Sequence, residues 1–379
     1  MDRNEANFGK SFDHGGKLDK VIELELFNLD KMFTLFLKIW GLSLDNARGD
    51  TWKNIRSTFT PIFTSGKMKV MLHFIKETSG FLTEDLALKA KAGEEFELKE
   101  SFGKYSLDAL ASCAFGVDGQ SFTNDKSVFV KHAAEMFNQG GMIMFAFLIK
   151  LIPGTNQLLE LLNINIMKPK ETKYFRDLIL NTMNARKKSK ARRNDIIDLM
   201  LDCLKEDEAE DKEGEDNNNQ FDKDQKFAHN KKGAKVSEDE VVATALVLLI
   251  AGYDTTGMTL TYLAYAMSKN PEIQQKLQEE VDQAFEDNNG ELPDYNVIQS
   301  LPYIDMVLHE TLRKFNPVSL NTRSCTQDYR IPGTDITLKK DDLISFSPKG
   351  LHEDPEHFSH PDEFWPEHFS KEEKAARNP

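Results

Sequence analysis

"LIAGYDTTGMTLTYL", residues 249–263, has the texture of a long apolar helix, yet it carries the acid Asp254 and the consecutive threonines Thr255 and Thr256. Buried polar groups need partners, so a plain core helix has little use for three of them at one depth. Upstream, Ser237 followed three residues later by Glu240 forms a capping box that predicts the helix start, and Asn270-Pro271 predicts its end. That gives about 45 Å of helix at ~1.5 Å per residue. Between Val241 and Ser268 the only charge is Asp254, so the stretch also has the ~20 apolar residues that a membrane span needs. Asp254 near the centre would cost roughly 2.5–3.5 kcal/mol on insertion scales, and Gly252, Thr255 and Thr256 cluster beside it. A buried central helix of a large domain is the reading these residues favour. Ala251 and Gly252 remove side-chain bulk there, and a threonine hydroxyl can donate back to the carbonyl four residues earlier. A local groove lined by an acid and an alcohol is expected, able to relay protons or hold a water beside a bound group. The plain alternative is a tolerated kink with a satisfied polar pair.

Around this helix most of the 379 residues read as helix too. "FVKHAAEMF" from Phe129, "ETKYFRDLILNTMNARKK" from Glu171, "NDIIDLMLDCL" from Asn194 and "NPEIQQKLQEEVDQAF" from Asn270 space their apolar residues three and four apart. Near the C-terminus "DYRIPGTDITLKKDDLISFSP" predicts short strands joined by a Pro-Gly turn. The fold class is therefore mainly α with a small β-sheet, an α+β arrangement. Residues 205–235 are polar, acidic and then basic, which predicts a mobile surface loop inside one domain rather than a boundary. The formal net charge of -14 argues against nucleic acid as a partner, since binding a phosphate backbone rests on basic side chains. Three scattered cysteines, Cys113, Cys203 and Cys325, fit a reducing compartment better than a disulfide framework. The polar opening residues 1–20 hold no apolar run that could serve as a signal peptide.

Three further stretches carry chemistry. In "PYIDMVLHETLRKFNP", Glu310 and Arg313 lie three apart on one helix face and can pair. In "DTWKNIRSTF", Trp52 and Arg56 lie four apart, so both donors point the same way, a geometry suited to an anionic group or to an ordinary amphipathic helix. Arg323 adjoins a predicted strand, and "FWPEHF" sets a Pro-Glu pair among aromatics. The His- and acid-rich "HEDPEHFSHPDEFWPEHF" raises a non-haem metal site, but His357 follows His352-Glu353 one position late for H-E-x-x-H, and Pro355 and Pro361 interrupt the helix that motif needs. No residue is singled out as a metal ligand.

In this order, "AGYDTT" in a long helix, "ETLR" in a later helix and "PEHF" after a small sheet, the chain resembles the cytochrome P450 family of haem-thiolate monooxygenases. "TSGKMK", "ASCAFG" and "YRIPGT" are most similar to its animal microsomal, xenobiotic-metabolising branch. The resemblance covers residues from about 10 to the end. It implies a single P450-like domain over 1–379, haem as cofactor, O2, electrons from an NADPH-dependent flavoprotein reductase, and oxidation of a lipophilic small molecule at the cytoplasmic face of the endoplasmic reticulum membrane. By position, Asp254 and Thr255 match the acid and alcohol that deliver protons during oxygen activation. Ala251 and Gly252 match the stretch lying against the haem, and Trp52, Arg56 and Arg323 match donors to the haem propionates. Glu310 and Arg313 match a structural ion pair. The resemblance also implies an apolar substrate pocket lined around residues 142–148 and 318–320, and contact of residues 142–154 with the membrane surface.

The chain departs from that pattern at three places. The family's glycine-rich cysteine loop after P-E-x-F does not appear before the sequence ends at "SKEEKAARNP", so the axial cysteine is expected to be absent from this chain. The arginine of P-E-R-F, which locks onto the E-x-x-R pair, is His368 here. The N-terminal membrane anchor and proline-rich hinge do not appear either. The chain as written is thus expected to be an incomplete P450 domain, truncated at both ends and inactive by itself, with a non-catalytic helical scaffold as the alternative.

Overall fold

The computed structural model describes residues 41–93, 95–124, 126–137, 169–189, 192–209, 236–318 and 320–377. The expected membrane-contact segment 142–154 and almost all of the expected loop 205–235 lie outside them, except that the preceding helix continues to Ala209. The described residues are mostly helical, and β structure is confined to two antiparallel pairs.

The helices are α1 (Gly49–Phe59), α2 (Ser65–Ala92), α3 (Leu98–Leu110), α4 (Val128–Phe137), α5 (Pro169–Ser189), α6 (Ile196–Ala209), α7 (Glu238–Lys269), α8 (Pro271–Asp287), α9 (Tyr295–Ser300) and α10 (Pro302–Lys314). Strand β1 (Asn321–Ser324) pairs with β4 (Leu343–Phe346), and β2 (Tyr329–Arg330) pairs with β3 (Thr337–Leu338). Short helices α11 (Pro348–His352) and α12 (Lys371–Ala376) follow.

Helix α7 starts where the sequence places it. Ser237 Oγ accepts from the Glu240 backbone N–H, while a Glu240 carboxylate oxygen accepts from the Ser237 N–H at 2.7 Å. It ends as Asn270 donates its side-chain amide to the Ala266 carbonyl, and Pro271 opens α8. By length and composition α7 could cross a membrane. In the fold its first half is enclosed by protein: Val241, Val242, Ala243, Ala245, Leu246 and Leu249 are buried in the main core, with α3, α5, α6 and α10 packed along the helix.

The closest of these neighbours is α3, and glycines allow the approach. A Cβ on Gly257 of α7 would lie 3.5 Å from the Gly103 Cα of α3, and a Cβ on Gly103 would lie 3.4 Å from Tyr253 Oη. On Gly252 it would meet Leu110 Cδ2 at 2.9 Å, closer than packed carbons tolerate. Just beyond α3 the chain makes a single π turn, Ala111–Phe115, which buries Cys113 and Phe115 before Gly116 turns it with φ +62°.

The second half of the scaffold is organised by one buried ion pair. Arg313 donates from Nε to Glu310 Oε2 at 2.8 Å and from a terminal nitrogen to Oε1 at 2.7 Å, and neither side chain meets solvent. The remaining guanidinium hydrogens reach the carbonyls of His352, Pro361 and Glu363, and the Trp365 N–H donates to Glu310. All charge and hydrogen-bonding capacity at the pair is therefore satisfied. His368, which stands where the resemblance places an arginine, is 1 % exposed and sets Nδ1 3.3 Å from both Glu310 oxygens. Because an ionised carboxylate only accepts, Nδ1 carries the proton and Nε2 is bare. Among the described residues Nε2 is buried without a hydrogen-bond partner, the imidazole meets the rings of Phe358 and Trp365 edge to face, and Arg377 donates to the His368 carbonyl. One N–H thus replaces a guanidinium fork.

Glu310→Gln should destabilise the fold by about 3–5 kcal/mol, because it leaves Arg313 charged and buried. Urea unfolding followed by far-UV circular dichroism measures this, and a loss under about 1 kcal/mol would mean that Arg313 is neutralised elsewhere. Burial pushes the His368 imidazole below its ordinary value, Glu310 pulls it back up, and Arg313 and Arg377 push it further down. Below about pH 6.5 His368 therefore binds less proton in the folded protein than in the unfolded chain. Stability should fall as pH drops through that value and level off only below the lowered folded one. His352 is also pushed down, mainly by burial, and contributes in the same direction. His368→Gln should accordingly flatten, without abolishing, the decline of the urea midpoint between about pH 7.5 and 5; an unchanged slope would contradict this assignment.

Candidate active site

Helix α7 runs unbroken through the polar cluster. Thr255 Oγ1 donates to the Ala251 carbonyl at 2.5 Å, and Thr259 and Thr261 donate in the same way to Thr255 and Gly257. These back-bonds satisfy each hydroxyl proton while leaving lone pairs on the Thr255 oxygen. Ala251 and Thr255, four apart, share one helix face, and Ala251 is exposed there.

The other expected members do not all sit on that face. At ~100° per residue Gly252 turns toward α3 and abuts Leu110, so its missing side chain serves the helix crossing. Asp254 lies about 100° from Thr255 and pairs with Lys99 in the first turn of α3, Oδ1 to Nζ 3.7 Å, with both side chains half-exposed. Acid and alcohol occupy adjacent surfaces rather than one groove. Lys99 carries no signal of this in the sequence, because its partner is on a distant element.

Helix α1 is anchored by buried Ile55 and Phe59, which turns Trp52 and Arg56 outward. The Arg56 guanidinium lies 5.6 Å from the centre of the Trp52 ring, and among the described residues no carboxylate pairs with it. Arg323, in β1 opposite Ile344 of β4, donates to its neighbour's carbonyl on Thr322 and lies 5.9 Å from the centre of the Phe346 ring. It too has no carboxylate partner among the described residues. Arg48 at the start of α1 pairs at 3.8 Å with Asp341, two residues before β4, which ties α1 to the β1–β4 ladder. An indole N–H and two guanidiniums without carboxylate partners among the described residues, in a chain of net charge -14, are donors of the kind that suits a group bearing carboxylates.

Each of the three cysteines directs its thiol at a backbone carbonyl. Cys113 is buried at the π turn with its thiol pushed up to about 11 by burial, and its Sγ faces the Met71 carbonyl. Cys203 on α6 faces the Thr58 carbonyl, and Cys325 donates to the Gln327 carbonyl at 2.9 Å.

Comparison with known proteins places this arrangement in a lineage. A family profile described as Cytochrome P450 matches residues 31–379. The chain is 33% identical to Cytochrome P450 6B2 of Helicoverpa armigera over 89% of its own length and 63% of that relative. It is 33% identical to Cytochrome P450 9e2 of Blattella germanica over 90% of its length and 64% of the relative. For Cytochrome P450 3A14 of Cavia porcellus the identity is 32%, over 88% and 61%. The chain thus spans under two thirds of the length of the curated relatives it matches. With its long α7 helix, its buried Glu310–Arg313 pair and a family match over nearly its whole length, the chain belongs to the cytochrome P450 family.

Proposed function

We propose that residues 1–379 form the larger part of one haem-dependent monooxygenase domain, which oxidises lipophilic small molecules with O2 and with electrons passed from NADPH by a flavoprotein reductase. The observation that carries this reading is the set of uncompensated donors, Trp52, Arg56 and Arg323, in a family that holds haem. Haem, when bound, supplies oxygen activation and the exchange of electrons. Arg56 and Arg323 neutralise its carboxylates, and the Trp52 indole adds a directional N–H. On α7, Ala251 leaves space on the open face, and the Thr255 oxygen holds a water or receives a proton there. Asp254, half-exposed one position earlier, takes up protons from solvent for that route. Residues 142–148 and 318–320 would line an apolar substrate pocket. Residues 142–154 would touch the membrane surface at the cytoplasmic side of the endoplasmic reticulum, with charge substitution at Phe145 or Phe147 weakening liposome flotation. In this reading none of the three cysteines is the axial ligand, because each thiol is directed at a backbone carbonyl, of Met71, Thr58 and Gln327 respectively.

In the complete, turnover-competent protein loaded with haem, Thr255→Ala should leave haem binding intact, lower product formation by about tenfold to a hundredfold and divert electrons to hydrogen peroxide. Asp254→Asn should slow turnover by the same logic. The stoichiometry of NADPH, product and peroxide checks both, and normal coupling would remove these residues from proton delivery. Arg56→Ala and Arg323→Ala should each weaken haem affinity by about tenfold to a hundredfold, as loss of a charge-assisted hydrogen bond does; equal affinity in spectrophotometric titration would refute their role. The 379-residue chain, loaded with haem and reduced under carbon monoxide, should show no thiolate-type spectrum, and such a spectrum would mean that Cys113, Cys203 or Cys325 reaches the iron.

A further inference from the structure

We propose that Lys99 is a positioning residue for Asp254, holding the carboxylate at the α3 edge of α7, where it loads protons from solvent, and away from the Thr255 face until it does so. The inference rests on the proton-delivery reading given above, and it adds to the site a residue from a second helix.

Exposed ion pairs are often incidental, worth ~0–1 kcal/mol, so the case depends on what fixes the two ends. Lys99 and Gly103 are four apart on α3, and Asp254 and Gly257 are three apart on α7. Each charged residue therefore shares a helix face with a glycine of the crossing. The two glycines face each other with room for about one methyl group between the backbones, since a Cβ built on Gly257 would lie 3.5 Å from the Gly103 Cα. The separation of Lys99 from Asp254 is thus set by the closest helix contact around α7.

Neighbouring charges on α3 and α2 are already engaged. Lys104 pairs with Glu100 at 2.9 Å, and Lys89 pairs with Asp85 at 2.8 Å while also donating to Ser101. Asp254 has one ion-pair partner among the described residues, and it is Lys99. The pairing draws the carboxylate to the side of α7 that faces α3, about 100° from the Ala251–Thr255 face. An ammonium there keeps the carboxylate solvent-facing between deliveries, which a free aspartate rotamer would not ensure.

The test uses haem-loaded protein labelled with 13C at the aspartate side-chain carboxyl, the Asp254 signal being identified by its loss in Asp254→Asn. Lys99→Gln should move that signal at neutral pH with haem present or absent, and Lys99→Arg should restore it. In turnover by the complete, turnover-competent protein, Lys99→Gln should raise the share of electrons lost to peroxide by about two- to fivefold, the worth of an exposed pair, with restoration by Lys99→Arg. An Asp254 signal that ignores Lys99→Gln overturns the inference. So does unchanged coupling in Lys99→Gln when Asp254→Asn uncouples. Normal coupling in Asp254→Asn itself would instead defeat the proton-delivery reading, and the role of Lys99 with it.

Discussion

The contact on which the site depends is the crossing of α7 and α3 through Gly257 and Gly103. A helix as apolar as α7 must bury most of its circumference, and the nearer its partner lies, the less freedom either helix has to rotate. Because α3 lies against the Gly252, Tyr253 and Gly257 side, the Ala251–Thr255 face is left open and Asp254 is left at the rim. A Cβ on Gly252 would meet Leu110 Cδ2 at 2.9 Å and force that side chain to shift, whereas a Cβ on Gly257 or Gly103 would make an ordinary contact at 3.4–3.5 Å.

The Glu310–Arg313 pair plays a corresponding part in the C-terminal half. It is not a source of net stability in itself, since two ions were removed from water to make it. Its value lies in direction: four backbone partners, on residues 352, 361, 363 and 365, are drawn to one point beside α10. Irregular chain that has no ladder of its own is held by those bonds. His368 completes the cluster with one hydrogen-bond donor and a bare buried nitrogen, so this chain meets the same structural demand with fewer bonds and a proton-sensitive group.

Much of this was legible in the sequence. The capping box at Ser237, the stop at Asn270-Pro271, the amphipathic helices and the Glu310–Arg313 spacing all rest on interactions between residues a few positions apart, which local order records directly. The short strands were legible through the Pro-Gly turn, though they form two separate pairs instead of one small sheet. Lys99 was not legible, and neither was the turning of Gly252 toward Leu110. Sequence spacing gives the angle between side chains on one helix, but it does not say which angle the neighbouring helix will cover.

The sequence by itself determined the helical class, the ends of the central helix, the pairing of Glu310 with Arg313 and the family, because each is written in short-range periodicity or in an ordered set of motifs. Only the tertiary structure decided that Asp254 and Thr255 face different surroundings, that Gly252 serves packing, and that His368 is enclosed with one nitrogen unpaired. The physical reason is common to all three: each depends on an atom brought in from a distant segment, and close packing sets that distance only once the whole core has formed.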